Sequence, residues 1–432
     1  MSTPADATAQ LAALAPRGIR PGLDVLRAVL AALGQDPQAL PAVLVAGTNG
    51  KGSTAALLAA MAKAAGYRTG LYTSPPLGGP AEQIAVDGRP IEQPALAELL
   101  AQVTAVAEAV RPGMLTAFEA LTAAAFRHFA AAAVDLAVLE VGMGGELDAT
   151  NVAAPRLAVI TSVALDHRDF LGPTTADVAR HKAGILRRRR PAVAGWLGAD
   201  AEAVVRRAAR ELDAPLIVAP DAVRRLERRE VGRGRQRVEL ATAAGAYGLE
   251  LPLAGAHQAR NLALAVLAAE ALRDAGFAGL DAAAIARGSA ACRWPGRLET
   301  RTAGGRELIL DAAHNPAAAD ALAAYLEELG KPVDLLFGAF RDKDAGAMLA
   351  RLAPRARRIV LTAPPGPRAW DAAAWAARHP GIATAVEPDL RDALEALLMP
   401  GEPPLVVCGS LALVGAIRSM LEARTEPPTG TT

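Results

Sequence analysis

The sequence predicts an α/β protein of two domains built on mostly parallel sheets, and three observations lead there. Short apolar runs alternate with longer stretches of helical period along most of the 432 residues. One early run, 43–46, feeds straight into a turn of glycines, hydroxyl residues and a lysine. A Pro-Gly turn at Arg293-Trp294-Pro295-Gly296-Arg297 then separates one helix and strand series from another.

Taken in order, strands are expected at 43–46, 136–141, 157–163, 216–219, 308–311, 333–338, 359–362 and 405–409. Helices are expected in the alanine-rich stretches between them, such as 54–65, 121–133 and 263–271. Ligands in sheets of this kind sit beyond the carboxyl ends of the strands. Residues 1–296 then form an N-terminal domain with the glycine-rich turn. Residues 297–424 form a doubly wound, Rossmann-like domain, and 425–432 form a disordered Pro/Gly tail.

Composition narrows the class. The chain is 52% hydrophobic, but no stretch of about 20 residues is free of charge, so no membrane span is expected. The first ten residues lack a basic flank and carry Asp6, which argues against a secretory leader and for the cytoplasm. In a reducing compartment Cys292 and Cys408 stay free thiols, each read as a small buried residue. With 46 basic and 45 acidic residues and 3% aromatics, nucleic acid is not an expected partner. The basic runs 187–190 and 224–237 read as solvated faces, because no aromatic residues interleave them. No heptad pattern suggests a coiled-coil dimer, and a monomer is expected.

Gly47-Thr48-Asn49-Gly50-Lys51-Gly52-Ser53-Thr54 reads as a phosphate cradle. Glycines let backbone N–H groups approach an anion, and the helix that follows adds partial positive charge at its N-terminus. Lys51 would meet the outer phosphates, and Ser53 or Thr54 could hold a magnesium ion. The spacing departs from the common Walker A form, because Gly52 stands between Lys51 and Ser53. Glu140, at a strand end and followed by Gly142, Gly144 and Gly145, suits a hard cation that bridges to phosphates. His167 follows Asp166 beyond the next strand, within reach of a second magnesium. Lys182 could offset phosphate charge or line the surface.

The Gly-Thr-Asn-Gly-Lys-Gly-Ser turn resembles the ATP loop of ligases that join an amino acid to a carboxylate. Within that group the chain is most similar to folylpolyglutamate synthase/dihydrofolate synthase, relatives of the Mur ligases. Other segments carry the same resemblance. They are Thr73-Ser74-Pro75, the Lys182-Ala183-Gly184-Ile185 run, Gly255-Ala256-His257-Gln258-Ala259-Arg260-Asn261, Pro295-Gly296-Arg297, Asp311-Ala312-Ala313-His314-Asn315-Pro316 and Asp342-Lys343-Asp344. The resemblance implies an N-terminal P-loop-type ATPase domain like the Mur ligase central domain. It also implies magnesium held by Ser74, Glu140 and His167, to which the loop reading adds Ser53, ATP as a substrate, and a carbamylated Lys182 that helps organise the metal site. A monovalent cation is a further candidate cofactor. Asn261 is expected near the adenine, Arg297 and His314 at phosphate, and Asp311 at nucleotide hydroxyls. A pterin-bearing substrate is expected near Gly22, Leu23 and Asp24, near Thr116, Phe118 and Glu119, and near Leu147, Asp148 and Ala149.

Four positions depart from the family pattern: Pro76 stands for histidine, Gln83 for arginine, Glu146 for a basic residue and His181 for glutamate. These bear on acceptor choice rather than on the ATP loop. The function that follows is an ATP-dependent ligase joining dihydropteroate or a reduced folate to L-glutamate through an acyl phosphate, with Lys51, His167 and Lys182 as catalytic residues. The alternatives are a Mur-type ligase on a different carboxylate, a kinase or ATPase, and a nucleotide-binding paralogue without ligation.

Overall fold

The computed structural model describes residues 6–425. Beyond Thr425, the expected disordered tail lies outside the described residues, as does the 1–5 part of the N-terminal reading. Thr425 itself is helical, closing Leu411–Thr425. The chain divides by its contacts into two units. One runs to Arg229 and takes in Arg237–Pro252 and Gln258–Cys292. The other comprises Glu230–Gln236, Leu253–His257 and the residues from Arg293 onward.

The first unit holds an eight-stranded sheet in the spatial order Arg89–Pro90, Ile84–Val86, Thr69–Tyr72, Leu136–Glu140, Ala42–Ala46, Pro155–Ile160, Ala192–Ala194 and Leu216–Val218. From Thr69–Tyr72 onward neighbours run parallel, and the two short edge strands run antiparallel. Ala42–Ala46 and Leu136–Glu140 are buried at every position, the pattern of central parallel strands covered on both faces. Alanine dominates the covering helices because they approach closely. A Cβ at Gly288, in Ala282–Ala291, would strike the Met61 backbone of Lys51–Ala64.

The second unit's sheet has six strands, ordered Glu299–Ala303, Arg306–Leu310, Leu405–Cys408, Val333–Phe337, Ala356–Leu361 and Ala385–Val386. Only the first pair is antiparallel. Phe337, Met348, Trp370 and Val406 belong to one buried cluster against it. A buried charge network also lies here: Arg306 donates to Asp334 at 2.7 Å with both side chains fully buried, and Arg357 donates to Asp334 at 2.8 Å. Arg306 also donates to the carbonyls of Pro403, at 2.7 Å, and Leu397.

All eight expected strands are present; 43–46 ends as expected, 157–163 ends three residues early at Ile160, and the other six end one residue early. Pro155–Ile160 stops before Thr161 because Thr161 and Ser162 turn their hydroxyls onto the glycine-rich loop. Leu216–Val218 stops because Ala219–Ala222 begins a helical turn with proline in its first positions. The expected runs missed Thr69–Tyr72 and Ala192–Ala194, which are only four and three residues long. They also missed the three-stranded sheet of Arg225–Gly232, Arg235–Ala241 and Ala246–Leu251. In that sheet most arginines of 224–237 are exposed, and Arg225 and Arg237 pair with Glu227 and Glu239. The run 187–190 is exposed at three positions, but Arg187 is drawn inward, which corrects the solvated reading for that residue. Both cysteines are buried and neither forms a disulfide.

Candidate active site

The loop after Ala42–Ala46 is shaped from beneath by the loop after Pro155–Ile160. The Thr48 N–H donates to the Ser162 carbonyl at 2.9 Å, and the Asn49 N–H to Ser162 Oγ at 2.9 Å. Thr161 Oγ1 and Ser162 Oγ donate to the Asn49 carbonyl at 2.7 and 2.9 Å. Thr48 Oγ1 exchanges hydrogen bonds with Ala164, accepting from its N–H at 3.0 Å. The N–H groups of Thr48 and Asn49 are therefore turned into the protein, while Lys51, Gly52 and Ser53 open the helix Lys51–Ala64. The N–H groups of that first turn have no partner within the helix. Gly50 caps it at φ 84°, in the left-handed region, and a Cβ there would strike the Asn261 side chain. Asn261, buried on Ala256–Asp274, thus abuts the loop and donates to Gln258 Oε1 at 3.0 Å.

Glu140 closes its strand, is nearly buried, and accepts from the Ser74 N–H at 3.2 Å, so these two expected metal ligands meet. Ser53 is buried in the first turn of the neighbouring helix. His167 sits at φ 51° before the short helix Arg168–Leu171, with Nε2 3.9 Å from Asp166 Oδ2. Lys182, on Thr175–Ala183, is 3% exposed. Burial, reinforced by the charge of Lys51, pushes its pKa down to about 7, with Asp166 and Asp148 pulling the other way. Lys182 is thus buried rather than lining the surface, and the charge of Lys51 is felt at it. Among the described residues no three His, Cys, Asp or Glu side chains form a metal-holding group.

The three expected acceptor segments come together. The Gly22 N–H donates to the Leu147 carbonyl at 3.3 Å, and a Cβ at Gly142 would lie 2.6 Å from the Phe118 ring. Thr116 and the buried Glu119 form a reciprocal cap at the start of Ala117–Ala131, a local reason for that helix to begin there. Asp148 accepts from the Met143 N–H at 2.9 Å and from Thr150 Oγ1 at 2.6 Å. Burial raises its pKa, against the pull of those hydrogen bonds. Ala149 opens the short helical turn Ala149–Val152, and Leu23 precedes the helix Asp24–Ala32. Gln83 is buried, and Glu146 is exposed with its N–H donated to the His181 carbonyl at 2.9 Å.

In the second unit Asp311 follows Arg306–Leu310 and is buried. It accepts from the Leu298 N–H at 2.9 Å and from the Ala313 N–H at 3.0 Å. Burial raises its pKa, and the charge of Arg297 opposes the rise. Arg297 donates to the Gly296 carbonyl at 3.0 Å, and His314 Nδ1 lies 2.8 Å from the Ala312 carbonyl. Asp344 of the Asp-Lys-Asp turn caps Ala345–Leu352.

Sequence reasoning assigned no role to Thr161 and Ser162, although two adjacent hydroxyls just past a strand were the available signal. Arg187 was hidden by the arginines that follow it.

Two family models match the chain: the Mur ligase middle domain over residues 45–269, and the Mur ligase glutamate ligase domain over residues 296–410. A folylpolyglutamate synthase of Lacticaseibacillus casei is 36% identical over 91% of this chain and 92% of its own. A Haloferax volcanii protein named probable bifunctional folylpolyglutamate synthase/dihydropteroate synthase is 39% identical over 79% of this chain, which spans 41% of that longer protein. A solved Mycobacterium tuberculosis folylpolyglutamate synthase, complexed with ADP and AMPPCP, superposes with a TM-score of 0.88 at 34% identity, covering 98% of this chain and 100% of that one. The chain belongs to the Mur ligase family, in its folylpolyglutamate synthase/dihydrofolate synthase branch.

Proposed function

We propose that the protein joins the carboxylate of dihydropteroate or a reduced folate to the amine of L-glutamate, using ATP and releasing ADP and phosphate. The observation that carries this reading is the convergence of the clasped loop 47–53, Lys51, Glu140 with Ser74, and the buried Lys182 beside the segments at 22, 118 and 147–148. A nucleotide loop next to an acceptor site is what carboxylate activation requires.

A carboxylate is a poor electrophile, and its oxygen is a poor leaving group. Attack by a carboxylate oxygen on the γ-phosphorus makes an acyl phosphate and releases ADP. The amine then attacks the acyl carbon, the C–O bond to phosphate breaks, and the amide nitrogen loses a proton. Lys51 and the first-turn N–H groups of Lys51–Ala64 would stabilise charge on the transferring phosphoryl group. Asn261, whose side chain abuts Gly50, is assigned to the adenine. By resemblance Arg297, Asp311 and His314 are nucleotide-binding residues, and residues 1–296 and 297–424 are proposed as the two functional domains.

Magnesium fits the residues present, because one carboxylate, two serine hydroxyls and one imidazole leave room for water and phosphate oxygens. Ser53, Ser74, Glu140 and His167 would hold it. When bound it neutralises phosphate charge. Lys182, with its pKa near 7, offers a neutral amine that CO2 can convert to a carbamate and a proton. The buried cation thereby becomes an anion beside Lys51. A monovalent cation could assist, and the protein is proposed to work as a cytoplasmic monomer.

The acyl phosphate is tested with acceptor labelled with oxygen-18 in its carboxylate. One label atom per turnover should appear in the released phosphate. Phosphate without label, or AMP and pyrophosphate as products, would contradict the scheme.

A further inference from the structure

Arg187 opens a basic run, yet its guanidinium does not face water as its three neighbours do. Nη1 donates to the carbonyls of Gly184 and Leu186, both at 3.1 Å. Nη2 donates to the Asn151 carbonyl at 3.2 Å, to Asn151 Oδ1 at 2.7 Å and to the Ala153 carbonyl at 3.3 Å. Asn151 in turn donates from Nδ2 to the Glu146 carbonyl at 2.9 Å and to the Gly184 carbonyl at 3.3 Å. These bonds link two segments. One is the end of Thr175–Ala183, which carries Lys182; the other is the turn 146–153, which carries Leu147, Asp148 and Ala149.

We propose that Arg187 is a positioning residue that fixes the Lys182 helix end against the acceptor-side turn, acting through Asn151. The proposal rests on the roles given above to Lys182 and to that turn. A guanidinium is a rigid planar fork with several donors, so one side chain can serve acceptors on both segments at once. A lysine ammonium, a compact point charge on a flexible stem, cannot reproduce that fork. None of Arg187's partners belongs to the clasp of the phosphate loop, which is made by Thr161, Ser162 and Ala164. Loss of Arg187 therefore disturbs the acceptor side and leaves nucleotide binding in place.

The test compares wild type with R187K and R187M in acceptor KM, nucleotide affinity and hydrogen exchange of segment 142–153. Both variants should raise acceptor KM by about tenfold or more while ADP affinity stays at the wild-type value, since small misplacements cost catalysis heavily. The amides of Met143 and Thr150, which donate to Asp148, should exchange faster. Unchanged acceptor KM in folded R187K would overturn the proposal, as would equal losses of acceptor and ADP binding. If the wild type ligates neither acceptor, the functional reading fails by itself. The exchange measurement then still decides, with unaltered protection of 142–153 in R187K overturning the clamp.

Discussion

Lys182 is the side chain whose chemistry depends most on its surroundings. Its folded pKa of about 7 lies below the ordinary 10.5, so the neutral amine gains population as pH rises through about 7. At fixed dissolved CO2, activity should increase over that window and fall when CO2 is stripped. A rate indifferent to CO2 would remove the carbamate from the scheme. Thr161 offers a second residue-scale test. Thr161→Val deletes the hydroxyl that donates to the Asn49 carbonyl at 2.7 Å while keeping the side-chain volume. The net worth of such a bond, about 1 kcal/mol, predicts roughly fivefold weaker ATP binding, measured by calorimetry, with the fold intact. Placement at this scale was readable for Lys51, which opens its helix, and for Glu140, which closes its strand. For Lys182 residue type alone left two readings, and only its burial sets the surface reading aside.

Strand positions were legible where apolar runs lasted four or more residues, as at 43–46 and 405–409. Thr69–Tyr72 escaped because it is short and contains Gly70, whose missing side chain leaves room for the Phe129 ring. The arginine-rich strands escaped because their alternation buries only positions such as Gln236, Val238 and Leu240. In the second unit, Arg306 in its strand and Asp334 in another form a buried pair that no local pattern reveals. Burial alone would raise the Asp334 pKa, but bonds from Arg357 and Arg306 outweigh it and hold the carboxyl below its usual range. Such a depressed group stabilises the fold above the ordinary carboxylate pKa, and that contribution is lost as pH falls through the depressed value. Arg306→Met should therefore cost about 3 kcal/mol and move acid unfolding to higher pH, measured by denaturant titration across pH. A variant as stable as wild type throughout would show that the pair contributes nothing net.

At the scale of the whole chain, order along the sequence did more than any single motif. The segments at 22–24, 116–119 and 147–149 are far apart in sequence, yet the 3.3 Å bond from Gly22 to Leu147 and the Phe118 contact with Gly142 bring them together. Their convergence follows from the sheet order, which sets Leu136–Glu140 directly beside Ala42–Ala46 and so puts Glu140 beside the phosphate loop. Among the described residues no helix is long and apolar enough to cross a membrane. Acceptor choice was less legible, because the departures expected at Gln83 and Glu146 are single side chains that no sheet order or helix cap depends on. The most direct measurement is product mass after incubation with magnesium, ATP and glutamate, with dihydropteroate and tetrahydrofolate offered separately. A gain of one glutamyl unit on either acceptor, matched by one ADP, is the predicted result. ADP release without any glutamylated product from either acceptor would contradict it.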